Sequence, residues 1–405
     1  MKKLSNTYLL ILFLCVMVGL SGYNYFFHPF KFDQAPVLEL DLQQPSPSPT
    51  LDAQPEVLES PESILAQLPP ERRVALLMMV PVVISQPAET VSQQVAGDWG
   101  EFLTQYQPGA ALIFGRDIST DAARAAIGQL HTSSDVLIAV DHEGGAATRL
   151  SGDGFAMLAS WRKTCALEDT ARIQLLEQTA AQLRNVGVDM VLGPVLDVGS
   201  AGSALGERTC STDASTVAIR GQEYARIFKA AGVMTVFKHF PGIGSLKQDL
   251  HTTAVTQNSS PLESFVFKSV LDTFPKSGVM ISHLSVLELG DARPCSLSAT
   301  CISSLTEKYP GALVVSDSLD MESALHMVTA ASGSGQSKRK LSNAAVEAVE
   351  AGQMVLTFGA GIKPAQLAEV HQALVAEYQS SINFSRQVDA QALRILELKL
   401  QLKGK

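Results

Sequence analysis

The segment VMTVFKHFPG, from Val233 to Gly242, opens with aliphatic and β-branched residues and closes with polar residues and a Pro-Gly turn. A continuous apolar run such as Val233–Phe237 is typical of a strand buried on both faces of a parallel sheet. Seven similar runs occur along the chain, at Val74–Val83, Ala110–Phe114, Val136–Val140, Val188–Leu192, Gly278–Ile281, Ala312–Val315 and Met354–Phe358. Together they predict eight parallel strands.

Segments with helical character separate several of these runs. Helices are predicted at Thr170–Asn185, Ser215–Ala230 and Asn343–Glu350, and Gly187 follows the first of them at a position typical of a helix C-cap. Strands that alternate with helices indicate an α/β protein. Eight of them predict a single (β/α)8 barrel of the TIM type, with a doubly wound sheet as the alternative. An amphipathic helix is predicted at Ala390–Leu402, after the last strand.

The composition of the 405 residues narrows the classes of function. Hydrophobic residues make up 46% of the chain and charged residues 18%, which excludes a disordered chain and supports a large core. The net charge is −9. This balance argues against nucleic acid as a partner, because neutralising phosphates requires a basic surface.

The first 28 residues have the features of an export segment. Lys2 and Lys3 precede an apolar run from Tyr8 to Leu20, and the apolar character continues to Phe27. A basic start and an apolar centre are typical of a signal peptide, and about 20 such residues just span a bilayer. No clear cleavage site follows, so we favour an uncleaved anchor with an extracytoplasmic domain. The Pro- and Ser-rich stretch 29–70 is predicted to be an extended linker to a catalytic domain at 71–405.

Four of the five cysteines lie in the predicted domain, and Cys15 lies in the export segment. Cys295 and Cys301 are close enough to close one loop, which would leave Cys165 for Cys210. Four cysteines allow three connectivities, and four reduced buried thiols fit a chain of this size equally well. Their spacing matches no zinc motif.

Polar residues follow four of the predicted strands. They are DHEGG at 141–145, KHFPG at 238–242, SH at 282–283 and SD at 316–317. The carboxyl ends of barrel strands meet at one rim, where the catalytic residues of such folds lie. Four strands that end in this way predict an acid-rich polar pocket and therefore an enzyme.

Asp317 directly follows a predicted strand and Ser316. A carboxylate at the tip of a barrel strand can attack an anomeric carbon and form a glycosyl ester. A helix N-cap explains this position equally well when it is considered alone.

Asp249 and His251 lie two residues apart in a loop rich in Gly, Ser, Lys and Gln. In an extended segment their side chains point the same way, so the carboxylate could orient the imidazole and stabilise its protonated form. His251 would then serve as general acid and general base. Taken alone, a solvated loop histidine is the commoner explanation.

Four further residues offer donors and acceptors suited to sugar hydroxyls. They are Asp141, Arg208, Lys238 and His239. Each could instead form an ion pair that supports a strand end, and a pair between Lys238 and Asp141 would be such a case. Glu143 and His283 are weaker candidates that could support the others.

The segment KHFPGIGSLKQDLH, from Lys238 to His251, closely resembles the K-H-F-P-G-H-G-x4-D-S-H signature of glycoside hydrolase family 3, in its β-N-acetylhexosaminidase (exo-β-N-acetylglucosaminidase) branch. Four other segments resemble that branch in the same order along the chain. They are VDHEGG at 140–145, GPVLDV at 193–198, LGERTCS at 205–211 and VVSDSLDMESA at 314–324. An ordered set over about residues 70 to 400 is far more specific than the D-x-H pair alone.

The resemblance implies a (β/α)8 barrel and a retaining glycosidase without a metal ion or organic cofactor. It implies that Asp317 is the nucleophile and that His251, paired with Asp249, is the acid/base on a mobile loop. The residues that would hold the terminal sugar are Asp141, Arg208, Lys238 and His239. The expected substrate is a β-linked N-acetylglucosamine at the non-reducing end of peptidoglycan fragments or chitin-like oligosaccharides. We expect a monomer, held at a membrane by its N-terminal segment.

Four positions depart from the family signatures. Ile243 stands in place of the second histidine of P-G-H-G, Leu250 in place of the serine of D-S-H, and His142 in place of the glutamine of V-D-Q-E-G-G. Ala146 replaces the arginine that usually follows. These changes leave the nucleophile and the dyad in place. A hydrolase is the first interpretation. A phosphorylase is the second, because a histidine acid/base would not repel phosphate, and a glycan-binding protein with a decayed active site is the third.

Overall fold

The computed structural model describes residues 60–84, 98–326 and 339–403. The predicted anchor at 1–28 and most of the predicted linker at 29–70 lie outside these residues. Within the described ranges, no helix is both long and apolar enough to cross a membrane. These ranges contain an α/β fold whose main sheet has eight parallel strands.

The strands of this sheet form a nearly closed barrel. In chain order, the structure has β1 Met78–Val83, β2 Ala110–Phe114, β3 Leu137–Val140, β4 Met190–Val191, β5 Met234–Phe240, β6 Thr256–Gln257, β7 Gly278–Ile281, β8 Ser285–Val286, β9 Leu313–Ser316 and β10 Leu356–Thr357. The sheet order is β10-β1-β2-β3-β4-β5-β7-β9, and β6 pairs separately with β8. Met78 of β1 lies opposite Leu356 of β10, and a bridge between Val315 and Val355 joins β9 to the same region. The predicted barrel is therefore confirmed, and the doubly wound alternative is wrong.

Helices surround the sheet and separate most of its strands. They are α1 Pro61–Gln67, α2 Pro70–Ala75, α3 Asp98–Tyr106, α4 Thr120–Ser133, α5 Trp161–Cys165, α6 Asp169–Asn185, α7 Ala214–Ala230, α8 Pro261–Thr273, α9 Ala299–Thr306, α10 Glu322–Leu325, α11 Leu341–Ala351, α12 Pro364–Ser380 and α13 Ile382–Lys403. Several begin at a capping side chain. The Asp213 carboxylate accepts a hydrogen bond from the Thr216 N–H at 2.8 Å, for example, and so satisfies a free donor of α7.

The structure corrects several predicted boundaries. The run Val74–Val83 is not one strand, because its first two residues end α2 and the strand begins only at Met78. Pro70 at the first position of α2 favours that helix. In the other direction, β5 continues to Phe240, so Lys238 and His239 lie within the strand rather than after it. The last helix begins at Ile382, earlier than the predicted start at Ala390.

The beginning and the end of the described domain pack together. Arg73, just before β1, forms an ion pair with Asp389 of α13 at 2.9 Å and donates to the Tyr378 hydroxyl at 3.2 Å. Phe384 and Ile395 of α13 are buried in the core. The last helix therefore packs against the first elements of the described domain.

Two disulfides join loops of the domain. Cys165 at the end of α5 is bonded to Cys210, and Cys295 is bonded to Cys301 in α9. The pairing expected from the short spacing of Cys295 and Cys301 is therefore confirmed, and the alternative of four reduced thiols is wrong.

Candidate active site

A cavity of about 500 Å³ opens at the carboxyl ends of the strands. Among the residues that line it are Asp141, Glu143, Arg149, Arg208, Lys238, His239, His251, Asp317 and Asp320. Six of the seven residues expected at the site thus share one cavity. The seventh, Asp249, lines a smaller cavity beside it, together with His251 and Asp317.

A buried ion network forms one side of the cavity. The Lys238 Nζ lies 2.6 Å from Asp141 Oδ1 and 2.5 Å from Glu143 Oε1. The Arg208 guanidinium binds both oxygens of Glu143, at 2.7 and 2.9 Å. The pair expected between Lys238 and Asp141 is present, but it belongs to a larger network in which Glu143 holds both cations.

The network keeps its members charged. Burial raises the pKa of Glu143, but the charges of Arg208 and Lys238 outweigh it and hold this pKa well below its ordinary value. Burial lowers the pKa values of Arg208 and Lys238, and the neighbouring carboxylates raise both above their ordinary values. The cavity therefore presents fixed charged donors and acceptors at neutral pH.

His239 is oriented by a carboxylate that the sequence patterns did not indicate as a site residue. Asp197 Oδ2 lies 2.7 Å from His239 Nδ1 and accepts the His239 backbone N–H at 3.1 Å. On the other side of the ring, His239 Nε2 lies 3.2 Å from the Arg208 guanidinium. Asp197 was within the quoted segment GPVLDV, and its burial is the feature that gives it this role.

Asp317 follows β9, and its side chain faces the cavity. Its backbone N–H donates to Ile281 at 3.0 Å, and its Oδ1 accepts the Ser318 N–H at 2.8 Å. The following helix α10 has Met321 at its N-cap, so Asp317 is not a helix cap. Burial raises the pKa of Asp317. The surrounding histidines, His239 first, and the Ser318 N–H lower it by more, so the net shift of this pKa is downward. The carboxyl group is therefore ionised at neutral pH.

Asp249 and His251 form the expected pair, although by a turn and not by an extended segment. The Asp249 carboxylate lies 2.8 Å from His251 Nδ1 and accepts the His251 backbone N–H at 2.9 Å. The N–H groups of Thr252 and Thr253 turn back to the Asp249 carbonyl. Burial raises the pKa of Asp249, whereas hydrogen bonds from His251 lower it by more, so the net shift is downward. The pair occupies Nδ1 and leaves Nε2 as the nitrogen that could exchange a proton.

His283 lies behind the cavity wall and supports the nucleophile segment. Its Nδ1 lies 2.6 Å from the Ser296 hydroxyl, and its Nε2 lies 2.9 Å from the Ser318 carbonyl. Burial lowers its pKa below the ordinary value. His283 thus holds the backbone next to Asp317, which is the supporting role considered for it from the sequence.

Arg149 and Asp320 also line the cavity, although no sequence pattern indicated them. The Arg149 guanidinium lies over the Phe114 ring at 5.8 Å, and its buried Nε has no hydrogen-bond partner among the residues that the structure describes. Its N–H donates to the Asp141 carbonyl at 2.9 Å, so the chain after β3 folds back and returns Arg149 to the strand end. Asp320 Oδ1 accepts the Gly359 N–H at 2.8 Å. One feature of the sequence could have indicated Arg149. It lies eight residues after Asp141, and the two glycines at 144 and 145 between them allow the chain to turn back.

A second buried carboxyl group holds the turn after β5. Glu263 of α8 is fully buried and accepts the N–H groups of Gly244 at 2.6 Å and Val198 at 3.3 Å. Burial and the charge of Asp197 raise the pKa of Glu263 to about 8. Gly242 has a φ of +124°, and a Cβ there would lie 2.4 Å from the Glu263 carboxyl group. Glycine is therefore required at this turn.

Of the departing residues in the segment after β3, Ala146 lines the cavity, and His142 lies in the chain between the cavity residues Asp141 and Glu143. His142 is buried, and burial lowers its pKa to about 4, so it is neutral at physiological pH. Ala146 lines the cavity and its carbonyl accepts from Arg116 at 2.6 Å. Across the described ranges, no group of three or more His, Cys, Asp or Glu side chains is arranged to hold a metal ion.

Comparison with known proteins places this arrangement in a family. Beta-hexosaminidase LpqI of Mycobacterium tuberculosis is 30% identical over 268 residues, which cover 62% of this chain and 64% of LpqI. The chain therefore matches just under two thirds of the length of that relative. The Beta-hexosaminidase of Methylococcus capsulatus is 30% identical over 251 residues, or 58% of this chain and 74% of that protein.

A solved structure shares the fold over most of the chain. The crystal structure of Beta-N-acetylhexosaminidase from Beutenbergia cavernae superimposes with a TM-score of 0.69 and 28% identity, and the match covers 82% of this chain and 99% of that one. The model of the glycosyl hydrolase family 3 N terminal domain matches residues 71–398. On this match, and with the ordered motifs around the cavity, the chain belongs to glycosyl hydrolase family 3.

Proposed function

We propose that the protein is a retaining, exo-acting β-N-acetylglucosaminidase. The observation that carries this proposal is the shared cavity, in which the ionised Asp317 and His251 lie beside a fixed set of charged groups, with Asp249 bonded to His251 from the smaller cavity. The names of the relatives support an N-acetylhexosamine as the sugar. The proposed substrate is a β-linked N-acetylglucosamine at the non-reducing end of peptidoglycan fragments or chitin-like oligosaccharides.

The first chemical step uses Asp317 as nucleophile. Its lowered pKa keeps the carboxylate available for attack on the anomeric carbon. The carbon–oxygen bond to the leaving group breaks as the glycosyl–Asp317 ester forms, and protonated His251 gives its proton to the departing oxygen. Asp249 stabilises the imidazolium and orients the ring.

The second step reverses the direction of proton transfer. Neutral His251 removes a proton from a water molecule, and the resulting hydroxide attacks the anomeric carbon of the ester. Two inversions at that carbon retain the configuration of the sugar. Asp317 leaves as a carboxylate and His251 is again protonated.

The ion network would bind the terminal sugar. Asp141, Arg208, Lys238 and His239 are the proposed contacts, and Glu143 keeps the two cations in place. Arg149 is a further proposed contact, because it lines the cavity and its Nε has no hydrogen-bond partner within the described part of the chain. The proposed site needs no residue from a second copy, and we propose a monomer as the active species.

Two disulfides in the folded domain support an extracytoplasmic location, since such bonds persist in oxidising compartments. Membrane attachment through residues 1–28, with a linker over 29–70 and the catalytic domain over 71–405, remains our proposal for the whole chain.

The test is release of nitrophenol from 4-nitrophenyl N-acetyl-β-glucosaminide by the wild type and by Asp317→Asn, with and without phosphate. We expect release by the wild type and a loss of at least roughly 10³-fold in the variant, because the nucleophile is removed. Full activity in Asp317→Asn would contradict the assignment. A sugar 1-phosphate that forms only with phosphate would identify a phosphorylase, and binding without turnover would identify a glycan-binding protein.

A further inference from the structure

A second, smaller cavity of about 80 Å³ lies between the nucleophile and the loop that carries the dyad. Asp317 and Arg208 line its polar side. Ile243, Leu246 and Leu250 of the dyad loop line its apolar side. The inner face of this loop therefore packs directly beside the reacting centre.

The loop 243–251 has one apolar face and one polar face. The exposed fractions of Ile243, Leu246 and Leu250 are 6%, 3% and 4%. The side chains of Asp249 and His251, in contrast, are 60% and 63% exposed. The three aliphatic side chains hold the loop to the core. The dyad side chains are more exposed, and they line the same smaller cavity.

Backbone hydrogen bonds fix the same loop at three places. The Ile243 N–H donates to Asp197 at 2.7 Å, and the Leu246 carbonyl accepts the Ala204 N–H at 2.8 Å. At the other end, the His251 carbonyl accepts the Glu322 N–H at 3.2 Å, at the start of α10. The dyad is thus held between the segment that carries Arg208 and the segment that carries Asp317.

We propose that Ile243, Leu246 and Leu250 are positioning residues that hold His251 beside the cavity before substrate binds. This rests on the proposed function, in which His251 is the acid/base. Opening the loop would expose three buried aliphatic side chains to water, which disfavours the open state. Two of them, Ile243 and Leu250, stand where the family signature has histidine and serine. The loop of this chain is therefore pre-organised, in contrast to the mobile loop that the family resemblance implied.

The test compares kcat/KM of the full chain and of Leu250→Ser on two substrates. The first is 2,4-dinitrophenyl N-acetyl-β-glucosaminide, whose leaving group needs no proton, and the second is N,N′-diacetylchitobiose, whose leaving group needs one. We expect Leu250→Ser to lower the value for the disaccharide by roughly 10- to 100-fold, because a displaced general acid loses its contribution. The value for the dinitrophenyl substrate should stay within about 2-fold.

Two control variants separate positioning from general destabilisation. Leu402→Ser alters a leucine that is 6% exposed but lies on α13, away from the site, and Leu250→Met keeps an apolar side chain of similar size. Neither should change the ratio between the two substrates. An equal loss on both substrates in Leu250→Ser, or no loss on either, would overturn the proposal. If Leu250→Ser does not fold, Ile243→His provides the same comparison.

Amide hydrogen exchange tests, without any substrate, whether the three aliphatic side chains hold the loop 243–251 to the core. Peptides covering residues 243–253 should exchange slowly in the wild type and at least roughly 10-fold faster in Leu250→Ser, because the buried face opens. Fast exchange in the wild type would show that the loop is not held to the core, whatever reaction the protein catalyses. If the wild type cleaves neither substrate but the loop is protected from exchange, the proposed function is wrong and the proposed packing of the loop is supported.

Discussion

At the scale of single residues, Glu143 joins the two cations of the candidate site, Lys238 and Arg208. It binds Lys238 and Arg208 together in a buried setting. Glu143→Gln should therefore leave the buried Lys238 ammonium and the partly buried Arg208 guanidinium with only part of their countercharge. We expect the free energy of unfolding to fall by about 3–5 kcal/mol, as measured by urea denaturation.

Glu207→Gln is the matched control for this prediction. Glu207 is exposed and its carboxylate accepts a hydrogen bond from Ser160 at 2.9 Å. An exposed substitution of this kind should change the free energy of unfolding by no more than about 0.5 kcal/mol. If Glu143→Gln is as mild as its control, Glu143 does not hold the two cations as the geometry indicates.

Glu263 should make stability depend on pH. Its pKa is raised from 4.5 to about 8, so the folded protein keeps a proton that the unfolded chain loses above pH 4.5. The folded state binds more protons in this window, so Glu263 causes stability to fall as pH rises from about 4.5 to about 8. In Glu263→Gln this contribution should be absent.

The measurement is urea denaturation of both proteins at pH 5 and at pH 8. Other titrating groups are common to the two proteins, so the stability of Glu263→Gln relative to the wild type should be higher at pH 8 than at pH 5. An unchanged difference between pH 5 and pH 8 would mean that Glu263 is already ionised in the folded protein at pH 5.

The sequence indicated residues whose chemistry can be read from type and position, such as Asp317 after a strand and Asp249 two residues from His251. Arg149 and Asp320 could not be recognised in this way. Arg149 reaches the cavity because its loop returns to the barrel rim, as its backbone hydrogen bond to Asp141 shows. Asp320 is placed there by its hydrogen bond with Gly359, which follows another strand. The role of Asp197 depends likewise on its contact with His239, which lies on the next strand.

At the scale of elements, the disulfide Cys165–Cys210 ties α5 to the segment that carries Arg208. Its two cysteines are 45 residues apart, whereas Cys295 and Cys301 are 6 apart. Loop-closure entropy predicts that the double serine variant at 165 and 210 loses about 4 kcal/mol of stability, against about 2 kcal/mol for the variant at 295 and 301. Guanidinium denaturation of the two variants measures both losses.

The same pair of variants should differ in substrate affinity. Arg208 lies two residues from Cys210, so loss of that disulfide should raise KM several-fold more than loss of Cys295–Cys301. Equal losses of stability and equal KM values in the two variants would show that loop length and proximity to Arg208 have no effect.

The elements themselves were largely predictable because buried parallel strands form continuous apolar runs. The predicted helices Thr170–Asn185 and Ser215–Ala230 each begin one residue later than the observed α6 and α7. Errors arose where an apolar run crosses a boundary. Val74 is as buried in α2 as it would be in a strand, so hydrophobicity does not distinguish the two states. Only the proline that starts α2 indicates the helix.

At the scale of the whole molecule, the last helix, α13, packs against the start of the barrel. Ile395 of α13 is 2% exposed, and its Cγ2 would lie 3.2 Å from a Cβ at Gly109, just before β2. Ile395→Ala should therefore reduce the free energy of unfolding by about 2–5 kcal/mol. Leu400→Ala, on the same helix but 45% exposed, should cost no more than about 0.5 kcal/mol.

Thermal or urea denaturation of these two variants measures the difference. Similar small losses in both would mean that α13 lies on the barrel without stabilising it. The eight-strand barrel could be predicted from the sequence, but the packing of α13 could not. The pattern of Ala390–Leu402 shows that one face of the helix is apolar, but it does not show which elements that face contacts.

The pairing of β1 with β10 also determines when the protein can fold during its synthesis. Met78 leaves the ribosome nearly the whole domain ahead of Leu356, its partner in the sheet. At ~5–20 residues per second, β1 waits on the order of 15 to 55 s for that partner. The growing chain meanwhile has an unpaired sheet edge and no finished barrel. A chain in this state is vulnerable to aggregation, but it can still be threaded through a narrow channel.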